Sequence, residues 1–125
     1  MPRPRSTTLT DGELQLMKVL WDKGRATVRE VVMALARRRQ PAYSTVLTML
    51  RILEQKGYAR HEKVGRAFAY VPVLGREQAR RTAVQRLVSQ LFDDSPGSLA
   101  LNIIENEEVD EVALEALRAR IEGLQ

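Results

Sequence analysis

Pro41 to Gly57 reads PAYSTVLTMLRILEQKG, and this stretch decides the fold. At helical period Val46, Met49, Leu50 and Leu53 fall at i, i+3, i+4 and i+7, forming one apolar stripe. The opposite side carries Tyr43, Ser44, Leu47, Thr48, Arg51 and Gln55. A face that is merely solvated is usually dominated by Glu and Lys, whereas this one offers hydroxyls, an amide, a guanidinium and one apolar tip. Pro41 marks the entry, and Gly57 can take positive φ at the C-terminus. The pattern predicts a recognition helix: one side sits in a core and the other reads base edges.

Upstream, Thr10-Asp11-Gly12-Glu13 has the spacing of a capping box. It predicts a helix to about Lys23, ended by Gly24, with Leu14, Met17 and Trp21 on its core face. A second box, Thr27 to Glu30, opens a helix patterned Val28, Val31, Val32, Leu35, Ala36. That helix closes on Arg37-Arg38-Arg39, cations that suit its negative end and could also meet phosphate. The connection from Gln40 to Tyr43 is only a few residues long, as in a helix-turn-helix.

Downstream the period changes to two. Tyr58 to Val64 and Ala67 to Val73 flank Gly65-Arg66, a two-residue turn of the Gly-X kind. Pro72 cannot donate to a ladder, so the expectation is a small edge ribbon and not a large sheet. Three helices followed by a hairpin make a winged helix-turn-helix over residues 9–74. Arg66 at the tip, with Lys63 near it, is placed to touch phosphate or the minor groove. His61 is the sole histidine and reads as a surface residue.

Residues 75–125 read as three further helices. Gly75 to Phe92 repeats Val84, Leu87, Val88 and Leu91 at i, i+3, i+4 and i+7. Ser95 and Pro96 then suit an N-cap and N1 position, opening a short apolar helix that ends near Glu105. The last helix starts near Asp110 and repeats Leu114, Leu117, Ile121 and Leu124 at spacings of 3, 4 and 3, a narrow seam. About fifty residues make a poor core alone, so the two stripes predict a homodimerisation region.

Charge follows the same division. Residues 1–75 hold 14 Lys and Arg against 6 Asp and Glu, a balance of +8, while residues 76–125 hold 6 against 10, a balance of −4. Only the first part is suited to a polyanion. Residues 1–8 form a Pro/Arg/Ser/Thr arm with little to bury, expected to be disordered. No cysteine is present, which removes disulfides and thiolate metal sites, and no run approaches a membrane span or a signal-peptide core. Cytoplasmic residence is the expectation, with no membrane insertion, cofactor or metal. A single His, no GxSxG and no phosphate-cradling glycine loop speak against an enzyme. The competing reading is a winged helix serving as a protein-interaction module, against which stand the basic excess and the hydroxyl-rich helix face.

Three segments together resemble the penicillinase-repressor (BlaI/MecI) family of bacterial regulators, relatives of the CopY copper repressors. They are LTDGELQLMKVLWDKGRATVREVV from Leu9, YSTVLTMLRILEQKGYARHEKVGRAFAYVPV from Tyr43, and SLALNIIENEEV from Ser98. The resemblance implies an N-terminal winged helix on inverted-repeat operators and C-terminal helices interlocked in a dimer. It also implies release, in many members, when a membrane sensor protein triggers proteolysis. It puts Ser44, Thr45 and Thr48 on the DNA face. Leu47 and Ile52 stand where better-known members have basic residues, so a shifted operator is implied. A leucine tip suits a thymine methyl. The family's cleavage bond follows an Asn, matched by Asn102, but Ile103 replaces the aromatic that follows it. The copper-binding cysteines of the CopY relatives are absent.

Overall fold

The computed structural model describes residues 9–35 and 41–124, so Arg37-Arg38-Arg39 and the arm 1–8 lie outside the described residues. Helix α1 (Asp11–Lys23) begins as its capping box dictates. The Glu13 N–H donates to Thr10 Oγ1 at 3.1 Å, and the Thr10 N–H donates to Glu13 Oε1 at 2.9 Å. Gly24 ends it at φ 76°, a conformation that favours glycine, and its N–H donates to the Leu20 carbonyl. Helix α2 (Val28–Ala34) repeats the device with Thr27 and Glu30. Each such cap contributes ~1 kcal/mol.

Helix α3 (Tyr43–Gln55) buries Val46, Leu50 and Leu53, with Met49 half-buried against the same core. The predicted stripe therefore holds α3 in place. Two expectations about neighbouring faces change. The buried side of α1 is Leu16, Met17 and Leu20, while Leu14 and Trp21 are only half-buried. Trp21 lies at the margin of the core, its Nε1–H donating to the Leu74 carbonyl at 2.8 Å. Gly12 lies where α1 approaches α3: a Cβ there would come within 2.7 Å of Met49 Cε, the flexible end of that side chain, which would have to shift.

The hairpin consists of β2 (Ala59–Val64) and β3 (Ala67–Pro72), in register from Ala59↔Pro72 to Val64↔Ala67. Gly65 has φ 62° at the first turn position, as a Gly-X turn requires. The expected edge ribbon has a third strand. β1 (Ala26–Thr27) pairs with β3 through Ala26↔Tyr70 and Thr27↔Ala69, giving the antiparallel order β1-β3-β2. Pro72 lies beyond the residues that β1 pairs. Tyr58, Ala59 and Tyr70 carry the base of the hairpin into the helical core.

One pair deep in this unit couples two helices. Glu13, the capping residue of α1, also accepts from Lys56 Nζ at 2.7 Å, just past the end of α3. Burial alone would raise the Glu13 carboxyl. The Lys56 ammonium and the Thr10 N–H outweigh it, leaving the group below its ordinary value.

Helices α4 (Arg76–Leu91), α5 (Pro96–Asn106) and α6 (Glu111–Gly123) follow. Ser95 caps α5, accepting from the Ser98 N–H at 3.1 Å, and Asp110 caps α6, accepting from the Ala113 N–H at 2.7 Å. Asp93 and Asp94 turn the chain between α4 and α5 with φ of 50° and 61°. The chain divides into two compact units inside α4, between Ala83 and Val84, whereas the sequence puts the division at Gly75. The first turns of α4 belong with α1, joined by Arg76 donating to Asp22 at 2.7 Å. In the second unit Val88 is the one buried residue among those described; α5 and α6 have none. None of the helices described is long and apolar enough to cross a membrane.

Candidate nucleic-acid interface

Fixing α3 by its buried stripe leaves a defined outer face. Tyr43, Ser44, Thr45, Thr48 and Arg51 are exposed, together with Ile52 and Gln55. Leu47, expected among them, is half-buried and packs on the core, because its position lies next to Val46 at the stripe's margin. The apolar member of the outer face is thus Ile52 in place of Leu47. The first turn of α3 contains no acidic residue, and Ala42 supplies no side-chain cap for its leading N–H groups.

Thr48 and Ser44 interact within this face. Thr48 Oγ1 lies 2.9 Å from the Ser44 carbonyl, and a carbonyl can only accept, so the hydroxyl proton points into the helix. What Thr48 then offers outward is an acceptor. That suits the exocyclic amino group of cytosine or adenine better than a carbonyl of guanine or thymine.

Arg51 has a tertiary neighbour that the sequence did not reveal. The Tyr70 phenol is pushed above its ordinary value by burial and by the Glu54 carboxylate, while the Arg51 guanidinium beside it pulls the other way. Glu54 also holds His61 of β2, with Nδ1 at 2.7 and 2.8 Å from its two oxygens. The His61 ring meets Phe68 edge-on at 5.2 Å and Tyr70 at 5.9 Å. His61 is exposed, as expected, yet it ties the hairpin to the end of α3. The only forewarning in sequence was that a lone histidine and an acid both flank the α3–β2 junction.

At the hairpin tip Lys63 and Arg66 are exposed and form no ion pair among the described residues. Near its base, Arg25 and Arg60 both contact Glu62, at 3.0 and 3.5 Å, and are partly neutralised. The Glu62 carboxyl is lowered by its hydrogen bond from Arg25. Free cations therefore sit at the tip and paired ones at the base. No cluster of His, Cys, Asp or Glu suited to a metal occurs among the described residues.

The remaining expected residues lie in the second unit. Val84, Leu87, Leu91, Leu114, Leu117, Ile121 and Leu124 are all exposed, and Val88 alone is buried. Asn102 and Ile103 are exposed within α5, where the Asn102 carbonyl accepts from Asn106 Nδ2 at 2.9 Å.

Comparison with known proteins agrees with the winged-helix fold. The family model described as penicillinase repressor matches residues 9–123. The transcriptional regulator BlaI of Mycobacterium tuberculosis is 34% identical over 121 residues, covering 95% of this chain and 86% of its own. The penicillinase repressor of Bacillus licheniformis is 29% identical over 101 residues, covering 81% and 79%. Among solved structures, the DNA-binding domain of the repressor BlaI aligns with a TM-score of 0.52 at 32% identity, covering 62% of this chain and 93% of that one.

Proposed function

The chain belongs to the penicillinase repressor family of DNA-binding transcriptional repressors, and on that premise we propose that it occupies inverted-repeat operator DNA as a homodimer. The observation that carries this reading is the division of α3. Val46, Leu50 and Leu53 are buried, while Ser44, Thr45, Thr48 and Arg51 stay exposed with no carboxylate in the first turn. A helix held so firmly by one side can present the other to the major groove without internal adjustment. Ser44 and Thr48 contact base edges, with Thr48 as acceptor. Arg51 beside Tyr70 works from the α3–hairpin junction, and Tyr43 and Thr45 fix the helix on the backbone. Leu47 leans on the core and touches at most a thymine methyl. Lys63 and Arg66 supply phosphate contacts from the wing.

Dimerisation belongs to the second unit, through the exposed stripes Val84–Leu91 and Leu114–Leu124. Repression follows from occupancy of a promoter in the cytoplasm, with no cofactor. Release by a membrane sensor's protease system would act at Asn102–Ile103. That bond lies inside α5, so the helix must open before a protease could take it as extended chain.

Selection from random-sequence duplexes tests the proposal. The expected product is an inverted repeat whose half-sites are one helical turn apart, about 10 base pairs, or a multiple of it. Enrichment of no repeat, or of single half-sites only, would overturn it.

A further inference from the structure

The half-buried side of α1, at the margin of the core, opens into a groove. Leu14, Lys18 and Trp21 lie at i, i+4 and i+7 on α1, facing Ala79, Arg80 and Ala83 at i, i+1 and i+4 on α4. All of these precede the division at Ala83/Val84. The two alanines are what leave room between the helices. The resulting space is about 450 Å³, within the range of ~300–1,000 Å³ that small ligands occupy. A space of that size suits a small molecule.

Charge narrows its chemistry. Lys18, Arg76 and Arg80 line the groove against one carboxylate, Asp22. Asp22 is already engaged by Arg76, whose guanidinium carbon also lies 5.6 Å from the centroid of the Trp21 ring. Among the described residues Arg80 is paired only with the solvent-exposed Glu77, a pair of small energetic value. Lys18 makes no ion pair among the described residues. Trp21 has its one polar atom satisfied by the Leu74 carbonyl, so its contribution to the groove is apolar.

We propose that the groove between α1 and the start of α4 is a binding site for a small anion with a flat apolar body, such as an aromatic carboxylate. The body packs between Trp21, Leu14 and the two alanines, and the carboxylate meets Lys18 and Arg80. Nothing in this assignment depends on how the protein meets DNA.

Trp21 is the only tryptophan, so its indole N–H gives a single, isolated resonance in a nitrogen-15 correlation spectrum of the full chain. Titration with 2-naphthoate is expected to move that resonance saturably, with a dissociation constant on the order of 1 mM or tighter for about a dozen heavy atoms. The uncharged 2-naphthalenemethanol should bind about tenfold more weakly. Lys18→Gln should remove most of that difference. Ala79→Phe, which fills the groove, should abolish the response while leaving the rest of the spectrum dispersed. Three results overturn the proposal. They are an indole resonance unmoved by naphthoate, equal affinity for acid and alcohol, and a response only when Leu117→Asp is introduced, which would mean that a second copy covers the groove.

Discussion

The two units of this chain are built from similar numbers of amphipathic helices and reach opposite outcomes. In the first, Met17, Leu20, Leu50 and Leu53 are fully buried, and Tyr58 and Tyr70 close the core from the hairpin. In the second, Leu117, Ile121 and Leu124 remain 45%, 60% and 87% exposed, and Val88 alone is covered. The difference is topological. Three helices backed by a sheet enclose a volume, whereas three helices in succession without a sheet offer one apolar face each. Exposed leucines of this kind are what the proposed dimer would cover. On the function proposed above, the closed core presents a polar helix for recognition and the open one presents leucines for assembly.

The sharpest way to break this contrast is to truncate equivalent leucine-type side chains in each unit. Leu50→Ala should cost ~2–5 kcal/mol, independently of protein concentration. Ile121→Ala should cost the monomer ~0.5 kcal/mol or less, its effect appearing as a melting temperature that depends on concentration. Thermal denaturation at two concentrations checks both, and a concentration-independent loss for Ile121→Ala would give the second unit a core of its own.

Smaller effects follow within the first unit. The Glu13 carboxyl is held below its ordinary value in the folded state, so the unfolded chain takes up the proton first as pH falls. Its stabilising contribution is full above the unfolded value and fades as pH drops through the folded one. Lys56→Met should remove much of this acid sensitivity and cost ~1–3 kcal/mol near neutrality, measured as denaturant midpoints between pH 3 and 7. Thr48→Val keeps the shape and deletes the acceptor. It should lose ~1–3 kcal/mol on the selected operator and little on random DNA, by fluorescence anisotropy. Equal loss on both would make Thr48 a backbone contact. Least of all, Arg66→Ala should flatten the slope of log K against log salt by about 0.9 with sequence preference unchanged.

Local chemistry was legible where it is carried by neighbours in sequence. Both capping boxes, the Gly65-Arg66 turn and the cap at Ser95 form as their spacings demand, and the last helix starts at Asp110 as expected, with that residue as its cap. Leu14 misled because α1 has a second apolar side, and only packing decides that Leu16 and Leu20 face the core, with Trp21 half-buried against its margin. β1 escaped notice because two residues show no period, and Thr27 already serves as a helix cap. The pairing of Glu54 with His61 and of Arg51 with Tyr70 depends on where the hairpin folds back, which no window along α3 contains. Leu47 was a marginal position on the helical wheel, and the core claimed it.

The central claim is that recognition resides in the first unit and assembly in the second. Leu117→Asp places a charge in the α6 seam, where a buried unpaired carboxylate costs several kcal/mol. Sedimentation equilibrium and anisotropy on half-site and full-repeat duplexes, run on this one variant, test that claim most directly. The account predicts a monomer with a folded winged helix and unchanged half-site affinity. Its affinity for the full repeat should fall ~10²–10⁴-fold toward the half-site value, because effective concentration is lost. A variant that still sediments as a dimer, or one that loses half-site binding as well, would contradict it.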